Sequence, residues 1–462
     1  MNQQENKSKP QDGGATRREF LKKSTLAAAA VAASANIFKT PVYGQDQAPA
    51  PGSVVGANNR LQVAYIGTGG QGMAHVNIQN SNAAANNIVQ VAACDLSDHR
   101  QQDAKAVIGG ACKLYKNYEE LLANKDIDAV TIATVDHWHC KTAIAALEAG
   151  KHLYVEKPMT RYLQEAFDLH DTAKKTGKIV QVGSQGCTAA AWHKAAELIA
   201  GGKIGTPVWA QGYYCRNSKN GEWNYPIQPW CQAADLDWDK WQAPVKDKKA
   251  FDGDAYFRWR KYYPYCAGPL GDLVPHRLLP LMFATGKPEF PTRVTCIGTK
   301  NVHADLTSPP TTERDCPEFI QLSAEFPSGL TIMIVSSTVA GRSPGFVIYG
   351  HEASLEIGSN GDRVQLIPEK DFSEDIDLQT FDGLTPTEDI GAHEKNWFDC
   401  IRANKQPNAG IDLGTRAQTV ICLAEMSNRL NMACLFDETN RKVSTMDGKE
   451  VAAITYGTLA RS

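Results

Sequence analysis

The chain has 462 residues, which is enough for two or three domains. Hydrophobic residues make up 42% and charged residues 21%, and the formal net charge is only −3, so neither nucleic acid nor an anionic membrane is expected as a partner. No internal apolar run reaches the roughly 20 residues of a membrane-spanning helix, and the composition predicts an ordinary soluble globular protein.

The N-terminal region differs from the rest of the chain. The pair Arg17-Arg18 is followed by a short apolar run over residues 26–35 and by a Pro/Ala/Gly/Gln-rich stretch over residues 41–56. A basic region, a short apolar core and small residues are typical of an export signal, and the arginine pair resembles the twin-arginine type. We expect residues 1–57 to be signal and linker, with a periplasmic or otherwise exported mature protein. A disordered basic tail ahead of a short helix is the alternative.

The cysteine and histidine spacings do not predict a metal site. None of the twelve cysteines forms a C-x-x-C pair, so no structural zinc is expected. His137 and His139 lack further ligands at useful spacing. Because the twin-arginine route carries folded proteins, we expect the cysteines to be free thiols that fill the core.

From residue 58 onward, apolar strands alternate with helices. Strands are predicted over residues 61–66, 88–94, 128–133, 152–155 and 179–182, and helices over residues 73–79, 141–149 and 161–175. This alternation predicts a Rossmann-type, doubly wound parallel sheet over residues 58–184.

After residue 185 the pattern becomes mainly β. One helix is predicted over residues 189–200 and two late helices over residues 394–403 and 415–431, with short strands joined by turn residues between them. We therefore expect an α/β chain whose second, α+β domain over residues 185–440 has a largely antiparallel sheet. Residues 441–462 are expected to form a C-terminal tail.

A glycine-rich turn follows the first strand directly and opens a helix. It has the pattern G-x-G-x-x-G and consists of Gly67-Thr68-Gly69-Gly70-Gln71-Gly72. In this context the first glycine permits a tight turn, the second lets the backbone approach a pyrophosphate, and the third lets helix pack on strand. The pyrophosphate would lie at the helix N-terminus, so the turn predicts a dinucleotide-binding site.

Asp95 ends the second strand and bears on the choice of cofactor. A carboxylate at this place accepts hydrogen bonds from the adenosine ribose and repels a 2′-phosphate, which favours NAD. Arg100 lies close by in the sequence and leaves NADP open.

Two loops that follow strands should face the nicotinamide half of the cofactor, since ligands of open parallel sheets bind beyond the carboxyl ends of the strands. Thr134 follows the third predicted strand, with Trp138 and His139 shortly after it, and Glu156 and Lys157 follow the fourth. We expect all five to contribute to the cofactor site, with Trp138 and His139 walling the nicotinamide pocket. For His137, phosphate, sugar and core contacts stay equally open.

The element Glu156-Lys157-Pro158 and a later Asp272-x-x-x-His276 element accompany the glycine turn. In this combination the sequence resembles the Gfo/Idh/MocA (glucose–fructose oxidoreductase / inositol dehydrogenase) family over roughly residues 60–435. The resemblance implies that Lys157, Asp272 and His276 line a substrate pocket and act as its catalytic residues. It also implies a cis Lys157–Pro158 bond and a homo-oligomer, a dimer or tetramer formed through the second sheet.

These three side chains suit the oxidation of an alcohol. His276 has the pKa range of a general base for the hydroxyl proton, and Lys157 can lower the pKa of that hydroxyl or share its proton. Asp272 can orient the imidazole or bond a substrate hydroxyl. The four-residue spacing would place Asp272 and His276 on one helix face, although Pro275 allows this only if it lies in a first turn.

Aromatic residues are concentrated between residues 209 and 265. They are Trp209, Trp223, Trp230, Trp238, Trp241, Trp259, Tyr213, Tyr214, Tyr225, Tyr256, Tyr262, Tyr263 and Tyr265, and the polar residues Arg216, Asn217, Arg258 and Arg260 lie among them. Aromatic faces and hydrogen-bonding tips suit a carbohydrate. Most of these rings must fill a core or an interface, so we expect two or three to touch substrate.

The sequence therefore predicts an exported NAD(P)-dependent oxidoreductase that acts on a sugar hydroxyl and holds its cofactor tightly, because free NAD is scarce outside the cytoplasm. Two alternatives stay open. One is a redox-neutral, NAD-dependent glycoside hydrolase that works by oxidation and elimination; the other, of a different class, is a non-catalytic sugar-binding protein.

Overall fold

The structure is a computed structural model. It describes residues 60–110, 112–246, 248–302, 313–385 and 388–458. The predicted twin-arginine signal and linker, residues 1–57, lie outside the described residues.

The first sheet has six strands, all parallel. They are β1 (Leu61–Ile66), β2 (Ile88–Cys94), β3 (Lys113–Tyr115), β4 (Ala129–Ile132), β5 (His152–Glu156) and β6 (Val180–Gly183). Their spatial order is β3-β2-β1-β4-β5-β6, the doubly wound Rossmann arrangement whose strand order reverses between β1 and β4. The predicted fold class of this domain is confirmed.

Five helices belong to this part of the chain. They are α1 (Gly70–Ser81), α2 (Asp98–Ile108), α3 (Tyr118–Leu122), α4 (Asp136–Glu148) and α5 (Leu163–Thr176). The sequence did not predict α2, because it buries only Gln101 and Ala104 and so lacks an apolar stripe. The five-residue α3 is likewise too short to show a period.

The second sheet has eleven strands. They are β7 (Pro207–Cys215), β8 (Arg293–Thr299), β9 (Phe319–Glu325), β10 (Thr331–Ser337), β11 (Phe346–Gly350), β12 (Ala353–Ile357), β13 (Val364–Pro368), β14 (Gln379–Phe381), β15 (Cys434–Asp437), β16 (Lys442–Ser444) and β17 (Glu450–Val451). Their order is β14-β13-β12-β11-β7-β10-β9-β8-β15-β16-β17. Only β7 and β10 pair in parallel, so the predicted antiparallel character is confirmed, and β16 and β17 lie within the predicted tail.

Seven more helices follow the first sheet in the chain. They are α6 (Ala190–Ala200), α7 (Trp238–Gln242), α8 (Gly253–Phe257), α9 (Pro269–Asp272), α10 (Pro275–Ala284), α11 (Ile390–Ala403) and α12 (Ile411–Leu430). Helix α10 packs on β7 and α12 on β8, and buried side chains alternate with more exposed ones along β9 and β10. One face of the sheet is therefore covered by helices.

Helix α11 comes late in the chain yet completes the core of the first domain. Its residues Trp397, Phe398 and Ile401 are fully buried in one cluster with Leu61 and Tyr65 of β1. The residues before β7 therefore do not build the Rossmann domain alone.

All twelve cysteines are free, and all except Cys215 and Cys400 are buried, as expected for small core side chains. Within the described ranges, no helix combines the length and the apolar composition that crossing a bilayer requires.

Candidate functional site

The glycine turn between β1 and α1 is packed so tightly that two of its glycines are required. Gly67 has φ +85°, and a Cβ there would lie 2.8 Å from the carbonyl carbon of Ala133. A Cβ on Gly72 would lie 2.0 Å from the carbonyl oxygen of Gly67. By contrast, a Cβ on Gly70 would meet nothing within 4 Å. The turn is therefore closed on its strand side and open on the side where a pyrophosphate would approach.

A cavity of about 560 Å³ opens on that side of the turn. Gly67, Gly69, Gly70, Gln71 and Asp95 all line it. The first N–H groups of α1 have no intrahelical partner, and Gly69 has no side chain to cap them. Free N–H groups at a helix N-terminus suit an anion, so the residues present fit the phosphates of a dinucleotide.

Asp95 stands at the predicted place beside the turn. Its Oδ2 accepts the N–H of Thr68 at 2.9 Å, and its Oδ1 accepts the N–H of Ser97 at 2.9 Å. The carboxylate is therefore held against the turn while it faces the cavity. Arg100 also lines the cavity, with its guanidinium beside Gly69 and 4.7 Å above the ring of Tyr256.

A second part of the cavity lining comes from residues 223–265, which we call the aromatic segment. Cavity-lining rings on this segment are Tyr225, Trp241, Tyr256, Phe257 and Trp259. Other rings of the segment, such as Trp238 and Tyr262, are buried in its own cluster, against which Leu96 and Val135 of the Rossmann domain pack. Most of the aromatic residues thus form a packed body, and only some face the cavity.

The first turn of α4 anchors the aromatic segment. Trp138 Nε1 and His137 Nε2 both donate to the carbonyl oxygen of Trp241, at 2.9 and 2.8 Å. Burial lowers the pKa of His137 to about 3, so its ring is neutral and structural. Thr134 and Trp138 line the cavity.

His139 is almost completely buried and does not line the cavity. Its ring nitrogens lie 2.7 Å from the carbonyl oxygen of Pro158 and 3.1 Å from that of Thr134. The ring therefore connects the loop after β4 to the loop after β5 instead of walling a pocket. The Lys157–Pro158 peptide bond is cis, as the resemblance implies.

Glu156 lies inside the protein in a network that the sequence did not predict. Its Oε1 accepts from His75 Nε2 at 2.9 Å and from Gln71 Nε2 at 3.1 Å, and its Oε2 accepts the N–H of Lys157. His75 Nδ1 lies 2.6 Å from Glu394 Oε1 on α11. Burial opposes the charge on His75, but its bonds to the two glutamates outweigh burial and raise its pKa to about 10. Glu156 thus holds Lys157 in place and touches the cavity only through Gln71.

Lys157 and Asp272 meet where the two domains come together. Lys157 Nζ donates to Asp272 Oδ1 at 2.8 Å and to the Asp272 carbonyl at 3.1 Å. Arg260 Nε donates to the same Oδ1 at 2.9 Å, and Trp223 Nε1 donates to Oδ2 at 3.0 Å. Both oxygens of Asp272 are therefore occupied by protein groups. Arg260 lines the cavity and so connects the Lys157–Asp272 pair to it.

His276 does not share a helix with Asp272, which corrects the sequence-based expectation. Asp272 ends α9, and His276 lies in the first turn of α10 behind Pro275. The proline breaks the continuous helix and stands at the first-turn position that it tolerates. Asp272 does not bond to the imidazole; His276 Nδ1 lies 3.5 Å from Glu388 Oε1 and has no hydrogen bond within the described part of the chain.

The electrostatics divide the chemical roles. Burial disfavours a charge on Lys157, but Asp272 outweighs it and raises the Lys157 pKa. Burial also opposes the charge on Asp272, while Arg260 and Lys157 lower its pKa well below the usual range. Burial and the charge of Lys157 lower the pKa of His276 to about 4. At neutral pH the site therefore presents an ammonium donor and a neutral imidazole that can accept a proton, and the imidazole is close enough to the ammonium for its pKa to be lowered by that charge.

Sequence reasoning singled out Lys157, Asp272 and His276 but did not predict their partners. Arg260 and Trp223 were noted only as members of the aromatic region, and no sequence signal pointed to Glu388. The glycine turn, the cavity, the donor Lys157 and the acceptor His276 together define a dinucleotide-binding protein. It has a Rossmann domain and a sheet domain, which meet at the site.

A family model matches the first domain. Residues 61–184 match the Gfo/Idh/MocA model, described as an oxidoreductase family with an NAD-binding Rossmann fold. This part of the chain is therefore similar to the NAD-binding domains of that family.

Similar proteins are sugar-related oxidoreductases and a hydrolase. The chain is 27% identical over 167 residues to an inositol 2-dehydrogenase of Salmonella paratyphi B, covering 36% of this chain and 49% of the relative. It is 32% identical over 176 residues to a glycosyl hydrolase family 109 protein of Shewanella baltica, covering 35% and 38%. The matches span about a third to a half of such relatives.

A structural match extends over both domains. A levoglucosan dehydrogenase solved with NADH and levoglucosan superposes with a TM-score of 0.62 at 20% identity, covering 81% of this chain and 98% of that one. At this identity the likeness shows the shared two-domain fold.

Proposed function

We propose that this protein is an NAD-dependent oxidoreductase that oxidises a CH–OH group of a sugar or sugar derivative. The observation that carries the proposal is the Lys157–Asp272 pair, 2.8 Å apart, placed beside a neutral His276 at the carboxyl edge of a dinucleotide-binding sheet. The inositol 2-dehydrogenase and levoglucosan dehydrogenase likenesses support a polyhydroxylated substrate.

The side chains divide the reaction between them. Lys157 donates a hydrogen bond to the substrate oxygen and so stabilises the negative charge that develops there. His276 takes the hydroxyl proton as general base. When NAD is bound, its nicotinamide accepts the hydride from the carbon that carries this hydroxyl. Asp272 holds Lys157 in position; its carboxylate serves the protein's own donors instead of the substrate. A sugar-binding protein without catalysis would not need a proton donor such as Lys157 and a general base such as His276. Their presence disfavours the non-catalytic alternative.

Tight retention of the cofactor is part of the proposal. The aromatic segment lines the cavity together with the glycine turn and is hydrogen-bonded to the Rossmann domain through Trp241. These contacts would slow the release of a bound dinucleotide. A cofactor that is retained would have to be regenerated in place, and a second carbonyl compound that accepts the hydride at the same site would supply this.

NAD is the proposed cofactor in preference to NADP. Asp95 faces the cavity and would repel a 2′-phosphate. Arg100, Lys116 and Lys240 line the same cavity, so the preference rests on one carboxylate among several cations.

Redox-neutral glycoside hydrolysis is the second candidate function. The similarity to the glycosyl hydrolase family 109 protein favours it. In such a reaction, transient oxidation of a hydroxyl acidifies the neighbouring C–H and permits elimination of the glycosidic partner. Release of a phenol from an aryl glycoside without net cofactor reduction would identify this function.

Export and assembly complete the proposal. We propose export by the twin-arginine route, which the Arg17-Arg18 motif supports. A homo-oligomer, a dimer or tetramer, would cover the second sheet, where Ile297 is 66% and Val208 49% exposed. Fractionation of cells and light scattering of the purified protein test these two points.

The test of the function is direct. The purified protein is denatured, the released nucleotide is identified, and the native protein is then offered a panel of sugars while the reduction of its nicotinamide is followed. Bound NAD that a sugar reduces supports the proposal. A protein that contains no nucleotide and binds NAD only weakly contradicts tight retention.

A further inference from the structure

Two largely buried cations share one oxygen of Asp272. Lys157 and Arg260 both donate to the single oxygen Oδ1 of Asp272, and their side chains are only 11% and 22% exposed. One carboxylate therefore serves two cations in a place with little water. A buried charge without a counterion is costly, so this arrangement favours a negative ligand.

The neighbouring charged groups are already paired. Arg216 lies 2.8 Å from Glu222, and Arg277 lies 2.8 Å from Glu388. Within the described ranges, Asp136 has no carboxylate–cation contact within 4.0 Å, and its Oδ2 has no hydrogen bond. Burial raises the pKa of Asp136, while His139 and Arg260 act in the opposite direction. His75 lies 2.9 Å from Glu156 and 2.6 Å from Glu394, so these two carboxylates share one imidazole. Among the described residues, Asp272 is the carboxylate that Lys157 and Arg260 share within 4.0 Å.

Of the two cations, Arg260 is the one that lines the cavity and can face a ligand there. Its Nε is used by Asp272, its guanidinium stacks 4.1 Å above the ring of Trp259, and it lines the cavity. Among the described residues, none hydrogen-bonds to its terminal nitrogens Nη1 and Nη2. A guanidinium held by Nε and by a ring offers its two terminal N–H groups as a rigid fork that matches a carboxylate.

We propose that Arg260 selects a substrate that carries a carboxylate, so that the preferred substrate is a sugar acid such as a uronate or an aldonate. This inference rests on the proposed function, because Arg260 would hold the acid group while Lys157 and His276 act on a hydroxyl of the same molecule. The aromatic wall remains available for the C–H face of the sugar ring.

Binding and turnover are measured separately with glucuronate, galacturonate and gluconate, each paired with its neutral methyl ester. A charge-assisted hydrogen bond predicts that the wild type binds at least one acid about tenfold or more tightly than the ester. Arg260→Gln should abolish this preference, and Arg260→Lys should keep only part of it, because an ammonium lacks the fork. Arg363→Gln, at an exposed arginine, is the matched control and should change neither.

The outcomes separate this inference from the proposed function. Equal binding of every acid and its ester, or a preference that persists in Arg260→Gln, overturns the inference. A loss of bound nucleotide in Arg260→Gln with an unchanged preference would assign the guanidinium to the cofactor phosphates and also overturn it. If the acids bind selectively but no sugar of either kind is turned over, the proposed function fails while the selectivity of Arg260 stands.

Discussion

Lys157 Nζ and Asp272 Oδ1 lie 2.8 Å apart although 115 positions separate the two residues in the chain. One residue follows β5 of the Rossmann sheet, and the other ends α9 of the second domain. The pair therefore exists only when both domains are folded and joined, and it places a protonated lysine where the cofactor-binding edge meets the substrate side.

Replacement of this lysine should remove catalysis without unfolding the protein. In Lys157→Met, Asp272 keeps Arg260 and Trp223 as partners, so its charge stays compensated. We expect kcat to fall by roughly 10²–10⁴-fold, the usual range for a positioned proton donor or acceptor. Steady-state kinetics together with a thermal melt check this, with the exposed Lys203→Met as control. A variant with normal kcat would contradict the role of Lys157.

The pH dependence of the reaction should report His276. Its pKa is lowered to about 4, by burial first and by Lys157 second, and the base works only when neutral. The value of kcat/KM should therefore stay level from neutral pH downward and fall only as the pH approaches about 4. If the base were an imidazole with the ordinary pKa, kcat/KM would already fall near pH 6.5.

Two variants sharpen that profile. Glu388 raises the His276 pKa, so Glu388→Gln should move the acid limb to lower pH. His276→Ala should lose most of the activity at every pH. An acid limb that persists unchanged in His276→Ala would show that another group is the base.

Part of this site could be predicted from the sequence, and part could not. The glycine turn, Asp95 and the loops after β4 and β5 follow from local patterns, because a parallel sheet brings the carboxyl ends of its strands to one edge. The partners of Asp272 depend on how the aromatic segment folds back, and no local period encodes that. His139 and Glu156 illustrate the same limit: both follow cofactor-facing strands, yet both side chains are buried by tertiary hydrogen bonds.

The buried His75 should make the free energy of unfolding fall as the pH becomes alkaline. Its pKa in the folded state, about 10, lies above its ordinary value of 6.5. The stabilisation is therefore fully present below about pH 6.5 and is lost as the pH rises through about 10. Urea unfolding at several pH values should show that the wild type loses stability over this range relative to His75→Gln. Parallel curves for the two proteins would mean that His75 is neutral in the folded state.

The glycine turn offers a matched pair of substitutions. A Cβ at position 72 would lie 2.0 Å from the Gly67 carbonyl oxygen, whereas a Cβ at position 70 would meet nothing within 4 Å. We expect Gly72→Ala to lower the free energy of unfolding by about 1–3 kcal/mol and to lose bound nucleotide. Gly70→Ala should keep the stability of the nucleotide-free protein. Equal destabilisation by both, measured in urea, would contradict the packing described for the turn.

The central claim is that Lys157 and His276 transfer the proton while a sugar hydroxyl is oxidised by bound NAD. The most direct measurement mixes the cofactor-loaded wild type, Lys157→Met and His276→Ala with the same reactive sugar and follows the absorbance of reduced nicotinamide in a single turnover. The account predicts rapid reduction in the wild type and reduction slowed by roughly 10²-fold or more in both variants. Reduction that persists undiminished in both variants would contradict it.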